Sequence, residues 1–223
     1  MFFPIKDNVP SRTFPFVNWM IIIANIAVFV YQLGLGYELN WFIYEYGLVP
    51  KRVTHYESLL NDSVLPFFTH MFMHGGFFHI FSNMYILFIF GDNVEDRLGH
   101  ARYLLMYVLF GLFAGVSQFL LSYDSLIPMV GASGAVAGVM GAYMVFYPKA
   151  KVKSLLIIII FITFVDIPAV FYLLFWFLIQ FINGTVSVGY DGGGVAWWAH
   201  VGGFIFGLLY AVRFRNREKE VYI

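Results

Sequence analysis

Two residue types that together make an activated nucleophile lie inside apolar stretches of this chain. One stretch contains Gly131-Ala132-Ser133-Gly134, and another, far downstream, contains Ala199-His200-Val201-Gly202-Gly203. A serine hydroxyl is a weak nucleophile until a neighbouring base takes its proton, and histidine is the side chain suited to that near neutral pH. If both faced the interior of one membrane bundle, Ser133 and His200 could make a nucleophile and its base, and the expected activity would be bond cleavage inside a bilayer. Two more polar residues, His79 and Asn83, lie in a third apolar stretch. Such side chains are costly in hydrocarbon and face a bundle interior or a wet cavity. No acidic residue is placed by sequence to orient His200.

Other chemistries fit less well. The soluble hydrolase pattern G-x-S-x-G fails because Ala135 stands at the second glycine position, and a strand–turn–helix context is missing. No H-E-x-x-H occurs, which argues against a zinc protease. His70, His74 and His79 do not share one helical face, and Gly75-Gly76 interrupts them, so neither a metal site nor another cofactor is expected. Gly192-Gly193-Gly194 lacks the Lys-Ser/Thr of a phosphate loop and reads as a hinge.

Composition sets the frame that must position these residues. The 223 residues are 61% hydrophobic, 21% aromatic and 12% charged, against about 25% charged in a soluble domain. The expected class is therefore an all-α membrane protein, one polytopic domain over residues 1–223. Formal net charge is zero, which argues against nucleic acid as a partner. The absence of cysteine excludes disulfides, thiolate metal sites and cysteine nucleophiles. The first apolar run ends without a small-residue cleavage site and reads as a retained helix.

Six spans are expected, over about residues 17–35, 77–90, 103–121, 127–147, 155–182 and 195–212. With that count, eleven Lys and Arg residues fall on the side of the two termini and only Lys51 and Arg52 on the other, so both termini are expected in the cytoplasm. Loop one, roughly residues 36–76, is rich in Trp and Tyr and is expected in the outer interface. Spans two, four and six then enter from the outer side, which puts His79, Asn83, Ser133 and His200 at similar depth. A helix over residues 133–147 rises only about 22 Å, less than a hydrocarbon core of about 30 Å, so its N-terminal amides would face a submerged cavity. Gly134 and Gly138 on span four, with Gly203 and Gly207 on span six, form two GxxxG patterns through which these helices could approach. Asp166 is expected in the inner half of span five, in a structural role.

At this point the chain resembles the rhomboid family of intramembrane serine proteases. The resemblance rests on His74-Gly75-Gly76 with His79 and Asn83, on Gly91, Glu95, Arg97 and Gly99, on Gly131-Ala132-Ser133-Gly134, and on Ala199-His200 with Gly203 and Gly207. It implies a six-helix bundle, Ser133 as nucleophile and His200 as base without a carboxylate. It further implies an oxyanion hole from His79, Asn83 and the Ser133 amide, with His74, Gly131 and Gly134 in support. Span five and the loop before span six would form gate and cap. Transmembrane segments of other proteins would be the substrates, and membrane lipids the surroundings, in the multi-pass setting of a cell membrane. The chain departs from the family at Leu65-Pro66, where Trp-Arg is common, and at Ala137, where an aromatic often stacks on the histidine; Trp197 or Trp198 could replace it. The competing reading is an inactive relative that binds transmembrane segments. A small transporter is disfavoured because no inverted repeat is visible.

Overall fold

Four of the six apolar runs fold as helices along most of their length, one is helical only in its second part, and one divides into two kinds of structure. The computed structural model describes residues 2–55, 64–158, 161–187 and 194–215. In chain order these form β1 (Phe2–Asp7), α1 (Phe16–Gly34), α2 (Leu39–Tyr46), α3 (Pro50–His55), α4 (Pro66–Thr69), α5 (Phe77–Leu98), α6 (His100–Leu121), α7 (Ser133–Phe146), β2 (Lys151–Ile158), β3 (Phe161–Pro168), α8 (Ala169–Val186) and α9 (Trp197–Arg215). Among the described residues, α1, α6 and α8 are long and apolar enough to cross a membrane. A fourth crossing arises if α4 and its following turn are joined with α5, a pair bent by 92°.

The expectation of an all-α chain is corrected at residues 155–182. That run was read as one helix, yet its first part pairs as an antiparallel hairpin, with Lys151 opposite Pro168 and Ile158 opposite Phe161. Leu155 to Phe164 is dense in isoleucine and phenylalanine, which suit a pleated surface. Between residues 155 and 168, Thr163 and Asp166 are too few to reveal whether the period is 2 or 3.6. Pro168 ends the strand, and α8 starts at the next residue. Asp166 therefore lies in β3 opposite Lys153, and exposed, not in a spanning helix. The N-terminal segment adds β1 to the other edge of β2, giving the order β1-β2-β3. β1 lies along α5: Tyr85 donates to the Pro4 carbonyl at 2.7 Å, and Ser11, just beyond the strand, donates to Asp92 at 2.5 Å.

The centre of the bundle is α7, whose residues from Gly134 to Tyr143 are all buried. It touches α9 backbone to backbone. A Cβ on Gly203 would overlap the Gly134 carbonyl oxygen, and one on Gly207 the Gly138 carbonyl oxygen. The two GxxxG faces thus meet as their spacing predicts. At the opposite end of the bundle from Ser133, the buried carboxylate of Glu95 accepts from the amides of Val17 at 2.9 Å and Asn18 at 2.7 Å, and also contacts His100 Nδ1. A carboxylate from α5 therefore satisfies the orphan donors that begin α1.

Loop one is built onto the segment that leads to Ser133. The Arg52 guanidinium donates to the carbonyls of Tyr44 and Glu45, tying α3 to α2. Leu48 and Met129 exchange backbone hydrogen bonds at 3.0 and 2.8 Å. The Gly131 amide donates to the His70 carbonyl at 2.8 Å.

Candidate active site

Ser133 is the first residue of α7 and His200 the fourth of α9. Because the glycine faces let these helices meet without intervening side chains, the Ser133 Oγ and His200 Nε2 come within 2.7 Å. His200 is 7% exposed. Its other nitrogen, Nδ1, lies 2.8 Å from Oε1 of Gln180 on α8. Two rings flank the imidazole, Trp176 at 5.7 Å and tilted 36°, and Trp197 edge-on at 6.2 Å.

His79 and Asn83 occupy successive turns at the start of α5. The Gly75 amide donates to His79 Nδ1 at 3.4 Å, which leaves the proton of a neutral ring on Nε2. That nitrogen lies beside Gly131, where a Cβ would come within 2.6 Å of it and where φ is +130°. Both sterics and backbone conformation therefore call for glycine at 131. The Asn83 Nδ2 is buried and has no hydrogen-bond partner. His79, Asn83, Ser133, Trp176, Gln180 and His200 all line one cavity of about 740 Å³. Ser133, as the first residue of α7, brings the N-terminal end of that helix to the cavity wall. His74 stands behind this layer: its ring meets His79 edge-on at 5.1 Å, and its backbone exchanges hydrogen bonds with the side-chain amide of Gln32 at 3.0 and 3.2 Å. Gly134 packs against Ala114 and Ala199.

A serine hydrogen-bonded to a histidine, beside a cavity with uncommitted donors, can attack an acyl carbon and hold the resulting oxyanion. Residues 61–217, well over half of the chain, match the Rhomboid domain. The chain belongs to the rhomboid family. It is similar to YdcA of Bacillus subtilis, 26% identical over 134 residues that cover 60% of this chain and 63% of the relative. It is similar to the rhomboid protease GlpG of Salmonella choleraesuis, 27% identical over 118 residues covering 52% of this chain and 39% of GlpG. It is also similar to the mitochondrial rhomboid protein 1 of Saccharomyces cerevisiae, 29% identical over 204 residues covering 83% of this chain and 49% of that protein. Each match spans less than two thirds of the relative's own length.

In this rhomboid the aromatic missing at Ala137 comes from elsewhere. Trp197 lies at the histidine as expected, but Trp198 turns away to pack on Phe181 at 5.9 Å. Trp176, with its ring more nearly parallel to the imidazole, escapes sequence reading because it sits among many apolar residues of the same run. Gln180 and Gln32 also escaped it. Both did carry a signal, being polar residues inside apolar runs. Of the glycine hinge, Gly192 and Gly193 lie outside the described residues, and Gly194 lines the cavity.

Proposed function

We propose that this chain is an intramembrane serine endopeptidase that cleaves transmembrane segments of other membrane proteins. The observation that carries this reading is the 2.7 Å contact between Ser133 Oγ and His200 Nε2 at the wall of the cavity. Ser133 Oγ attacks the peptide carbonyl carbon while its proton passes to His200 Nε2. His79 Nε2, Asn83 Nδ2 and the Ser133 amide donate to the oxyanion. Collapse of the tetrahedral adduct breaks the C–N bond, and His200 returns the proton to the leaving amine. Water then hydrolyses the acyl-enzyme, with His200 again acting as base. His74, Gly131 and Gly134 support the site by backing His79, admitting its ring and letting the helices touch.

In this reading residues 1–223 form one domain, and α1, α5, α6, α7, α8 and α9 are six spans, with both termini in the cytoplasm of a cell whose surface membrane holds the protein. The reading is supported by the bias of Lys and Arg towards the ends that would face inward. α7, at 14 residues, is about 21 Å long, which puts Ser133 below the outer surface of a core of about 30 Å. A peptide bond in a substrate helix is hydrogen-bonded and shielded, so segments with Gly or Pro near the cut are the expected substrates.

The test is labelling of the purified protein with a fluorophosphonate. Wild type should label, while Ser133→Ala and His200→Ala should not, with folding intact in both. A folded wild type that neither labels nor cleaves any transmembrane segment in liposomes would replace this reading with that of an inactive binder.

A further inference from the structure

Among the described residues no hydrogen bond joins His200 to a carboxylate, yet the imidazole is not left to choose its own tautomer. We infer that Gln180 is the positioning residue of His200, a neutral amide filling the place that a carboxylate takes in soluble serine hydrolases. The inference rests on the protease reading above.

The hydrogen bonds leave one consistent arrangement. Gln180 Nε2 donates to the Trp176 carbonyl at 3.2 Å, so its Oε1 is the atom turned to His200. The reversed amide would set Oε1 against the Trp176 carbonyl oxygen, two acceptors facing each other. An amide oxygen has no proton to give, so His200 Nδ1 carries the hydrogen and donates across 2.8 Å. A neutral ring protonated on Nδ1 presents its lone pair on Nε2, the atom that meets the Ser133 hydroxyl at 2.7 Å. The tautomer that Gln180 selects is therefore the one able to accept the serine proton. When that proton arrives, the same amide oxygen faces the imidazolium with the negative end of its dipole.

The residue type follows from the surroundings. Gln180 is 6% exposed and lies mid-way along an apolar helix. An ionised carboxylate there would pay a large desolvation cost, or would take up a proton and lose its orienting charge. An amide orients the ring without bringing a charge. Trp176 precedes Gln180 by one helical turn, so a single face of α8 supplies both the ring that packs on the imidazole and the acceptor that fixes its proton.

Wild type, Gln180→Leu and Gln180→Glu decide the matter, each checked for folding by thermal melting in detergent. Nitrogen-15 histidine spectra, with the His200 signals identified by their loss in His200→Ala, report the tautomer. The wild type should show Nδ1–H at His200, and Gln180→Leu a mixture of tautomers. Gln180→Leu should also label with fluorophosphonate about tenfold more slowly, the loss of roughly one hydrogen bond, with substrate KM unchanged. Gln180→Glu retains an acceptor and should recover the Nδ1–H form. Should Gln180→Glu fail to fold, the tautomer and labelling rate of Gln180→Leu still decide. An unchanged tautomer and rate in Gln180→Leu, with wild type labelling at Ser133, would overturn the role of Gln180 and leave the protease reading standing. Absence of labelling in wild type would instead remove the reading beneath it.

Discussion

Tyr143 on α7 donates a hydrogen bond to the carboxyl of Asp7 in β1, a residue 136 positions earlier in the chain. The contact pins the N-terminal strand to the helix that begins with Ser133. Burial of Asp7 pushes its carboxyl up to about 6, opposed by the Tyr143 hydrogen bond and reinforced by the charge of Asp92. The folded chain thus holds a proton that the unfolded chain releases near the ordinary value of 3.8. The contribution of Asp7 to stability is full below that value and is lost as pH rises through about 6. Melting in detergent across this window should show wild type losing stability relative to Asp7→Asn as pH rises. Parallel pH curves for the two proteins would contradict the burial of this carboxyl.

Asn83 offers a way to separate chemistry from folding. Its Nδ2 has no partner, so removing it orphans nothing in the resting protein. Asn83→Ala is expected to slow cleavage about 100- to 1,000-fold while the melting temperature stays near that of wild type. His79→Ala should slow cleavage similarly. A rate close to wild type in both variants would place the oxyanion donors elsewhere.

The backbone contact between α7 and α9 has no room for a methyl group. Gly207→Ala would drive a Cβ into the Gly138 carbonyl, and overpacking of this kind costs about 1–3 kcal/mol. The helices should separate enough to lengthen the Ser133–His200 contact, so labelling should fall together with melting temperature. Gly34→Ala is the control, because nothing lies within 4 Å of a Cβ there. Equal melting temperatures for the two variants would mean that the helices are not in direct contact.

Glu95 caps a helix from outside it. Glu95→Ala leaves the amides of Val17 and Asn18 without their acceptor in a buried place, at a cost of about 2–3 kcal/mol. Glu95→Gln keeps one acceptor oxygen and should lose less. Chemical denaturation of the three proteins measures the order, and an unaffected Glu95→Ala would show that α1 starts independently of α5.

The residues proposed to react were legible from sequence because a polar side chain in an apolar run is conspicuous wherever it falls. Ser133, His200, His79 and Asn83 needed only that, together with the alternating direction of successive spans. The GxxxG faces were legible for a related reason, since a helix repeats its small residues every four positions whatever its neighbours. The glutamine at 180 was visible as a polar residue but had no assignable partner, because 20 residues separate it from His200 and only the packing of α8 on α9 joins them. Of the two rings at His200, Trp197 was foreseen, whereas Trp176 was hidden more deeply, as one tryptophan among many apolar neighbours. Residues 155–168 were misread because Thr163 and Asp166 are too few to mark a period, and the pairing of β2 with β3, and of β2 with β1 from more than a hundred residues away, holds them as strands. Sequence determined which side chains could react and which faces could touch, because hydropathy and period are local properties. The tertiary structure decided which side chain faces His200 Nδ1, what packs against its ring and where helix gives way to strand, because each depends on atoms brought together from distant parts of the chain.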